Sequence, residues 1–289
     1  VFRLILVTNA IHLEAARRIR LRQRQPGEGR LLDLLVYEPR RLGLTPEDRR
    51  RWPLRLPVTP LVMAALVLPA LLGLVGELRL AHLSRAGKAL RLVARRARRI
   101  SLLDDGLDQY RDQPRAVDPL AFPAGTPCWL FSDAAAFRAP WCRRFDCRDL
   151  GPLYVAWGQV EPPAAATACR TLIIDAPGVE RLQHHAARLP RPWLVVPHPV
   201  IAKRHWTLPP APGDLTMAGP PEGLLAAFTG LVVVGESMTL LAALRLRPQG
   251  SRLLVALPAS AAPNLRRLVQ GEAALDPLVE CFPPMDACG

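Results

Sequence analysis

Short apolar runs alternate with longer amphipathic stretches along this chain. Phe2 to Val7 is apolar apart from Arg3, which predicts a strand buried on both faces. Thr8-Asn9-Ala10 then offers capping groups, and Ile11, Leu13, Ala15, Ala16 and Ile19 follow at mainly helical spacing. Residues 31–37, after a Pro-Gly loop, read as a second strand. A helical region is expected over about 60–80 and an Arg- and Ala-rich helix over about 84–98. That helix leads into Ile100-Ser101-Leu102-Leu103, a strand that runs straight into Asp104 and Asp105. Strand, helix, strand, helix, strand implies a parallel sheet with crossover helices.

Residues 111–150 are Pro-rich and irregular, with a short helix expected near 133–138. Beyond them the same plan resumes. Leu153 to Gly158 reads as a strand, Pro162-Pro163 as a linker, and Ala176 to Leu189 as a helix with Pro177 in its first turn. Trp193 to Val196 is a strand ending at Pro197-His198-Pro199, and residues 209–221 form a loop. A short helix covers 223–228, a buried strand Leu231 to Val234, a helix Met238 to Leu244, a strand Leu253 to Leu257, and a helix about 262–270. With 289 residues there is room for two modest cores. The expected fold class is therefore α/β, with Rossmann-like domains over 1–150 and 151–289 facing each other across a cleft.

Charge and cysteine content narrow the classes of partner. The formal charge is +13, yet all but two of the 38 basic residues are Arg, a skew that looks like codon usage. The arginines cluster at 17–22, 49–51 and 95–99, which suits an anionic membrane surface or an anionic substrate as well as nucleic acid. Aromatic residues make up only 6% and do not interleave with the basic runs, which argues against stacking on bases. Six cysteines without a CxxC pair or a spaced His argue against zinc and point to a reducing cytoplasm. Val1 to Val7 reads as a strand and not as a secretory signal. Val58 to Val75 carries no charge but contains Pro60, Pro69 and Gly73, so a buried helix or helix pair on a sheet is expected there in preference to a membrane span.

Candidate chemistry gathers where strands end, since ligands of open α/β sheets settle beyond the carboxyl ends of the strands. Asp104-Asp105-Gly106 follows one strand. Asp-Asp-Gly is also a common tight turn. His198, held between two prolines, follows another strand and can donate a hydrogen bond or a proton to a phosphate. Gly235-Glu236-Ser237-Met238-Thr239 leaves a third strand and opens a helix, the makings of an anion site or of an ordinary cap.

In this order these motifs resemble those of bacterial GT-B sialyltransferases of the lipooligosaccharide sialyltransferase and capsular polysialyltransferase families. Those families share an Asp/Glu-Asp-Gly motif, a His-Pro motif and a Ser-Ser/Thr motif, here Asp104-Asp105-Gly106, His198-Pro199 and the Ser237 region. Val7 to Leu13 is similar to their first strand and turn, and Leu153 to Gln159 to the strand that opens their second domain. Met238 displaces the second hydroxyl of the Ser motif to Thr239, and the basic residue often found before His-Pro is missing. The resemblance implies an acceptor-binding first domain and a nucleotide-sugar-binding second one. It implies an inverting transfer of sialic acid, or a related nonulosonic acid, from a CMP-sugar to a hydroxyl of a cell-surface glycan. Asp104 would be the general base and Asp105 its support, although which of the two is the base stays open. His198 would bind or protonate the departing phosphate, with Pro199, Gly235, Ser237 and Thr239 completing the cradle. The resemblance implies no metal and no resident cofactor. Peripheral contact with an anionic inner membrane fits the charge. The alternatives are a GT-B enzyme with another nucleotide sugar and a basic protein that binds membrane or nucleic acid without catalysis.

Overall fold

The computed structural model describes the chain apart from residues 23–30, 40–41, 82–86, 105–121, 133–138, 154–163, 198–205, 207, 218–220, 235–236, 260 and 283–289. The chain divides into two compact units, Val1–Leu153 and Tyr154–Gly289.

The first unit holds strands β1 (Phe2–Val7), β2 (Leu32–Tyr37), β3 (Leu54–Pro57), β4 (Val75–Leu80), β5 (Ile100–Leu103), β6 (Pro127–Leu130) and β7 (Asp146–Asp149). Their order in the sheet is β3-β2-β1-β4-β5-β6-β7, and every neighbouring pair is parallel. Helices α1 (Ala10–Arg22), α2 (Pro46–Arg51), α3 (Pro60–Ala65), α4 (Val67–Leu71), α5 (Lys88–Arg96) and α6 (Ala139–Cys142) connect them. Strand side chains alternate between faces. Leu4, Leu6, Val36, Leu78, Leu80, Leu102, Cys128 and Leu130 therefore form one buried layer, packed against Leu66, Ala70, Leu90 and Val93 of the crossover segments.

The other face carries a buried ionic network that the hydrophobic pattern concealed. Register sets Arg3 beside Asp33 and Glu77, and Arg79 beside Ser101. Glu77 accepts from Arg79 Nε at 2.8 Å and Nη2 at 3.0 Å, from Ser101 Oγ at 2.8 Å and from Arg3 Nε at 2.5 Å. Asp33 accepts from Arg3 at 3.0 Å and from Arg20 of α1. Here the expected helix over 60–80 is overturned in its last part. Gly73, at φ +68°, ends the helical stretch, and Val75–Leu80 is a fully buried central strand. Its Glu77 and Arg79 break the apolar run; they pair with each other along the strand, and pairing with β1 and β5 adds Arg3 and Ser101.

Residues 58–75 do contain a helix pair, α3 and α4, but it is not buried throughout. Leu66 and Ala70 face the core, whereas Leu61, Leu68, Leu71 and Leu72 are exposed. Among the described residues no helix is long and apolar enough to cross a membrane.

The second unit repeats the winding with β8 (Thr171–Asp175), β9 (Trp193–Pro197), β10 (Leu215–Thr216), β11 (Gly230–Val234), β12 (Arg252–Ala256) and β13 (Val279–Phe282). Their order is β10-β9-β8-β11-β12-β13, again with all described pairs parallel. The expected helix over 176–189 shrinks to a 3-10 turn, Val179–Leu182, and one α-turn, α7 (Gln183–Ala186). Gly178 at φ +96° delays its start. Helices α8 (Met238–Leu246) and α9 (Pro263–Leu275) match the expected positions and run longer. The central strand β8 is an addition to the expected elements: Thr171-Leu172-Ile173-Ile174-Asp175 is short and lies just before the expected helix. β10 falls within the expected loop, and β13 lies beyond the expected last helix. The strand expected over 153–158 lies, beyond Leu153, outside the described residues, as does the helix expected near 133–138.

The fold class is thus two Rossmann-like α/β units with parallel sheets of seven and six strands. In each, the chain starts mid-sheet, winds outward to one edge, and returns to add strands on the other side. That reversal creates a crevice at the carboxyl ends of β1 and β4 in the first sheet and of β8 and β11 in the second.

Candidate functional site

In the first unit, β5 delivers Asp104 to the carboxyl edge of the sheet. Asp104 is only 3% exposed, and its Oδ2 accepts the backbone N–H of Phe131, just beyond β6, at 2.9 Å. The carboxylate therefore ties the ends of two parallel strands together. The Phe131 ring lies 5.1 Å from the guanidinium of Arg18 on α1. Arg18 also donates to the carbonyls of Leu150 at 3.1 Å and Pro152 at 2.8 Å. Asp105 and Gly106 lie outside the described residues.

At the end of β1, Asn9 caps α1 by accepting the His12 N–H at 2.9 Å. The His12 ring is buried and accepts at Nδ1 from the Thr8 N–H at 3.3 Å, while its Nε2 lies 3.1 Å from Asn9 Nδ2. This turn stands at the switch point of the first sheet.

In the second unit, β11 leads to Ser237, which is the N-cap of α8. Ser237 has extended backbone angles, and its Oγ accepts the Leu240 N–H at 3.2 Å. A capping hydroxyl of this kind keeps its own proton for a further acceptor. Thr239 differs. It is buried, and its hydroxyl donates to Glu222 Oε1 at 2.6 Å. A hydroxyl has one proton, so this contact anchors the first turn of α8 to the 3-10 segment Glu222–Ala227 and leaves Thr239 Oγ1 only lone pairs to offer. The structure brings Ser237 and Thr239 into one helix start with different tasks. His198, Pro199 and Gly235 lie outside the described residues, although Pro197, the last residue of β9, pairs in register with Asp175 of β8.

Asp175 is the residue that sequence reasoning missed. It is fully buried at the end of β8, beside β11, and its Oδ1 accepts the Trp206 N–H at 2.7 Å. The Trp206 ring meets Trp193 edge-on at 5.5 Å. The signal was present: four residues of buried-strand type followed by an acid, the same signature that singled out Asp104.

The arginine clusters separate once their partners are visible. Arg17 makes a two-point contact with Asp48, from Nε to Oδ1 at 2.8 Å and from Nη2 to Oδ2 at 2.6 Å. Arg18 pairs with Glu14, Arg20 with Asp33, and Arg22 donates to the Asp149 carbonyl. This run is spent on internal contacts. Arg95, Arg96, Arg98 and Arg99 are instead exposed, and Arg98 donates to the Gly73 carbonyl at 3.1 Å.

No family model matches the chain, and no curated protein matches it. A solved structure entitled "Crystal Structure Analysis of the Glycotransferase of kitacinnamycin" is similar over 98% of this chain and 86% of that one, at 13% identity and a TM-score of 0.36. A likeness of that degree assigns neither a family nor an activity, so function rests on the residues themselves.

Proposed function

We propose that the protein is an inverting glycosyltransferase that moves sialic acid, or a related nonulosonic acid, from a CMP-sugar to a sugar hydroxyl. The first unit supplies the base and the second holds the donor. The observation that carries this reading is the capped helix start at the exit of β11, on the switch point of a six-stranded parallel sheet. The positive end of the α8 dipole and the proton of the Ser237 hydroxyl favour a bound anion, and a nucleoside monophosphate leaving group is one. Thr239 serves as the anchor of that turn through Glu222 and is not itself a phosphate donor. His198 hydrogen-bonds or protonates the departing phosphate as the bond to the anomeric carbon breaks.

The acidic pair supplies the base. Burial of Asp104 and its bond from Phe131 give it the task of holding the turn. Removal of the acceptor proton then falls to Asp105, in place of the assignment to Asp104 implied by family resemblance. A single displacement needs no covalent intermediate, because attack and departure occur on opposite faces of the sugar.

Calorimetric titration of CMP and CMP-sugars against UDP- and GDP-sugars tests the donor class, with preference for cytidine as the expected result. Ser237→Ala is expected to weaken CMP binding by about tenfold, the effect of one lost hydrogen bond to a charged group. Asp105→Asn is expected to abolish transfer and leave CMP binding unchanged. Equal affinity for all nucleotides, or full transfer by Asp105→Asn, rules the mechanism out.

A further inference from the structure

The exposed side of α3 and α4 lies on residues that take no part in the candidate site. Their inner residues Val62, Met63, Leu66, Val67 and Ala70 pack on the core of the first unit. Their outer residues do not. Leu61 is 80% exposed, Leu68 63% and Leu72 66%, with Leu71 and Leu74 also exposed. An outward row of leucines this dense is unusual on a free surface and marks a contact site.

The charge around it is equally one-sided. Between Arg49 and Leu103 the sequence has twelve basic residues and a single acidic one, Glu77, which is buried among Arg3 and Arg79. Helix α5 packs against α3 and α4 and presents exposed Lys88, Arg91, Arg95 and Arg96. Arg98 reaches the end of α4 at the Gly73 carbonyl, next to Leu72 and Leu74. The arginines of α1, by contrast, meet internal partners, whereas α5, which packs on α3 and α4, carries exposed basic side chains next to the leucine-bearing helices.

We infer that this face, the outer side of α3 and α4 with the arginines of α5, docks the protein on an anionic phospholipid surface. The leucines enter the boundary between headgroups and acyl chains while the basic side chains meet lipid phosphates, the two-part logic of proteins that lie on a bilayer without crossing it. A second copy of the chain is the poorer occupant, because pairing two such faces would bring like charge against like. The inference is independent of sugar transfer, since neither donor nor acceptor enters its test.

That test is co-sedimentation of the whole chain with vesicles of phosphatidylcholine alone or mixed with about a third phosphatidylglycerol. Strong binding to the anionic vesicles, weak binding to the neutral ones, and loss at high salt are expected. The variant Leu61→Ser/Leu68→Ser/Leu72→Ser changes only exposed side chains, and its fold is checked by circular dichroism and urea unfolding. It should bind on the order of tenfold or more weakly, and so should Arg91→Glu/Arg95→Glu. Arg188→Glu/Arg267→Glu, on the second unit, should bind as the parent does. Absence of vesicle binding by the parent, or unchanged binding by the leucine variant, overturns the inference. So does a leucine-dependent dimer in sedimentation velocity without vesicle binding, which would make the face a self-interface.

Discussion

Glu77 sits in a central strand with a side chain that is 10% exposed. Burial alone would raise its pKa, but hydrogen bonds from Arg79 and the charges of Arg79 and Arg3 outweigh burial and hold it at about 2, against an ordinary 4.5. Arg79 remains protonated throughout, since a guanidinium does not give up its proton in a protein. A depressed carboxylate stabilises the fold above its unfolded pKa. That contribution, on the order of 3 kcal/mol, is therefore expected to fade as pH falls from about 4.5 towards 2. Urea unfolding between pH 6 and 2.5 checks it: the midpoint should drop over that window in the parent and far less in Glu77→Gln. At neutral pH that variant is expected to lose about 3 to 5 kcal/mol, because it strands a buried arginine.

Among elements, α2 shows how a six-residue helix is made to hold. Thr45 Oγ1 accepts the Asp48 N–H at 3.1 Å, Asp48 accepts the Thr45 N–H at 3.0 Å, and Pro46 occupies the first turn. This reciprocal cap satisfies two donors that would otherwise lack partners. Asp48 then receives Arg17 from α1, so the cap also joins two helices. Thr45→Ala is expected to cost about 1 kcal/mol and Asp48→Ala about 3 kcal/mol, the excess being the lost two-point contact with Arg17, which keeps only Glu14. Chemical denaturation of the two variants separates cap from cross-link. Gly230 plays a comparable part in β11: a Cβ there would lie 2.5 Å from Thr171 Oγ1, so only glycine lets β11 lie against β8.

At the scale of the molecule, the two units share a strand order while their polar ends differ. The first sheet ends in a carboxylate fixed between β5 and β6, and the second in a capped helix after β11 and a buried Asp175 at the end of β8. If the second unit holds the donor, hydrogen exchange with and without CMP should slow at the start of α8 and at the end of β11. The amides of β4 and β5 in the first unit should exchange as before. Equal slowing in both units would contradict the division of labour.

Periodicity by itself determined the alternating α/β plan, the two sheets, and the strands β1, β2, β5, β9, β11 and β12, because uninterrupted apolar runs of that length have few other stable fates. It also located Asp104 and Ser237 at strand exits. Pairing across the sheet decided the rest. Glu77 of β4 meets Arg3 and Ser101 only through the neighbouring strands, and the proton of Thr239 is committed only when Glu222 is folded against it. Which arginines remain open to a partner was likewise settled by acids and carbonyls far away in the chain. Local pattern reports how a residue treats water, but the neighbour that satisfies a charge is chosen by the fold.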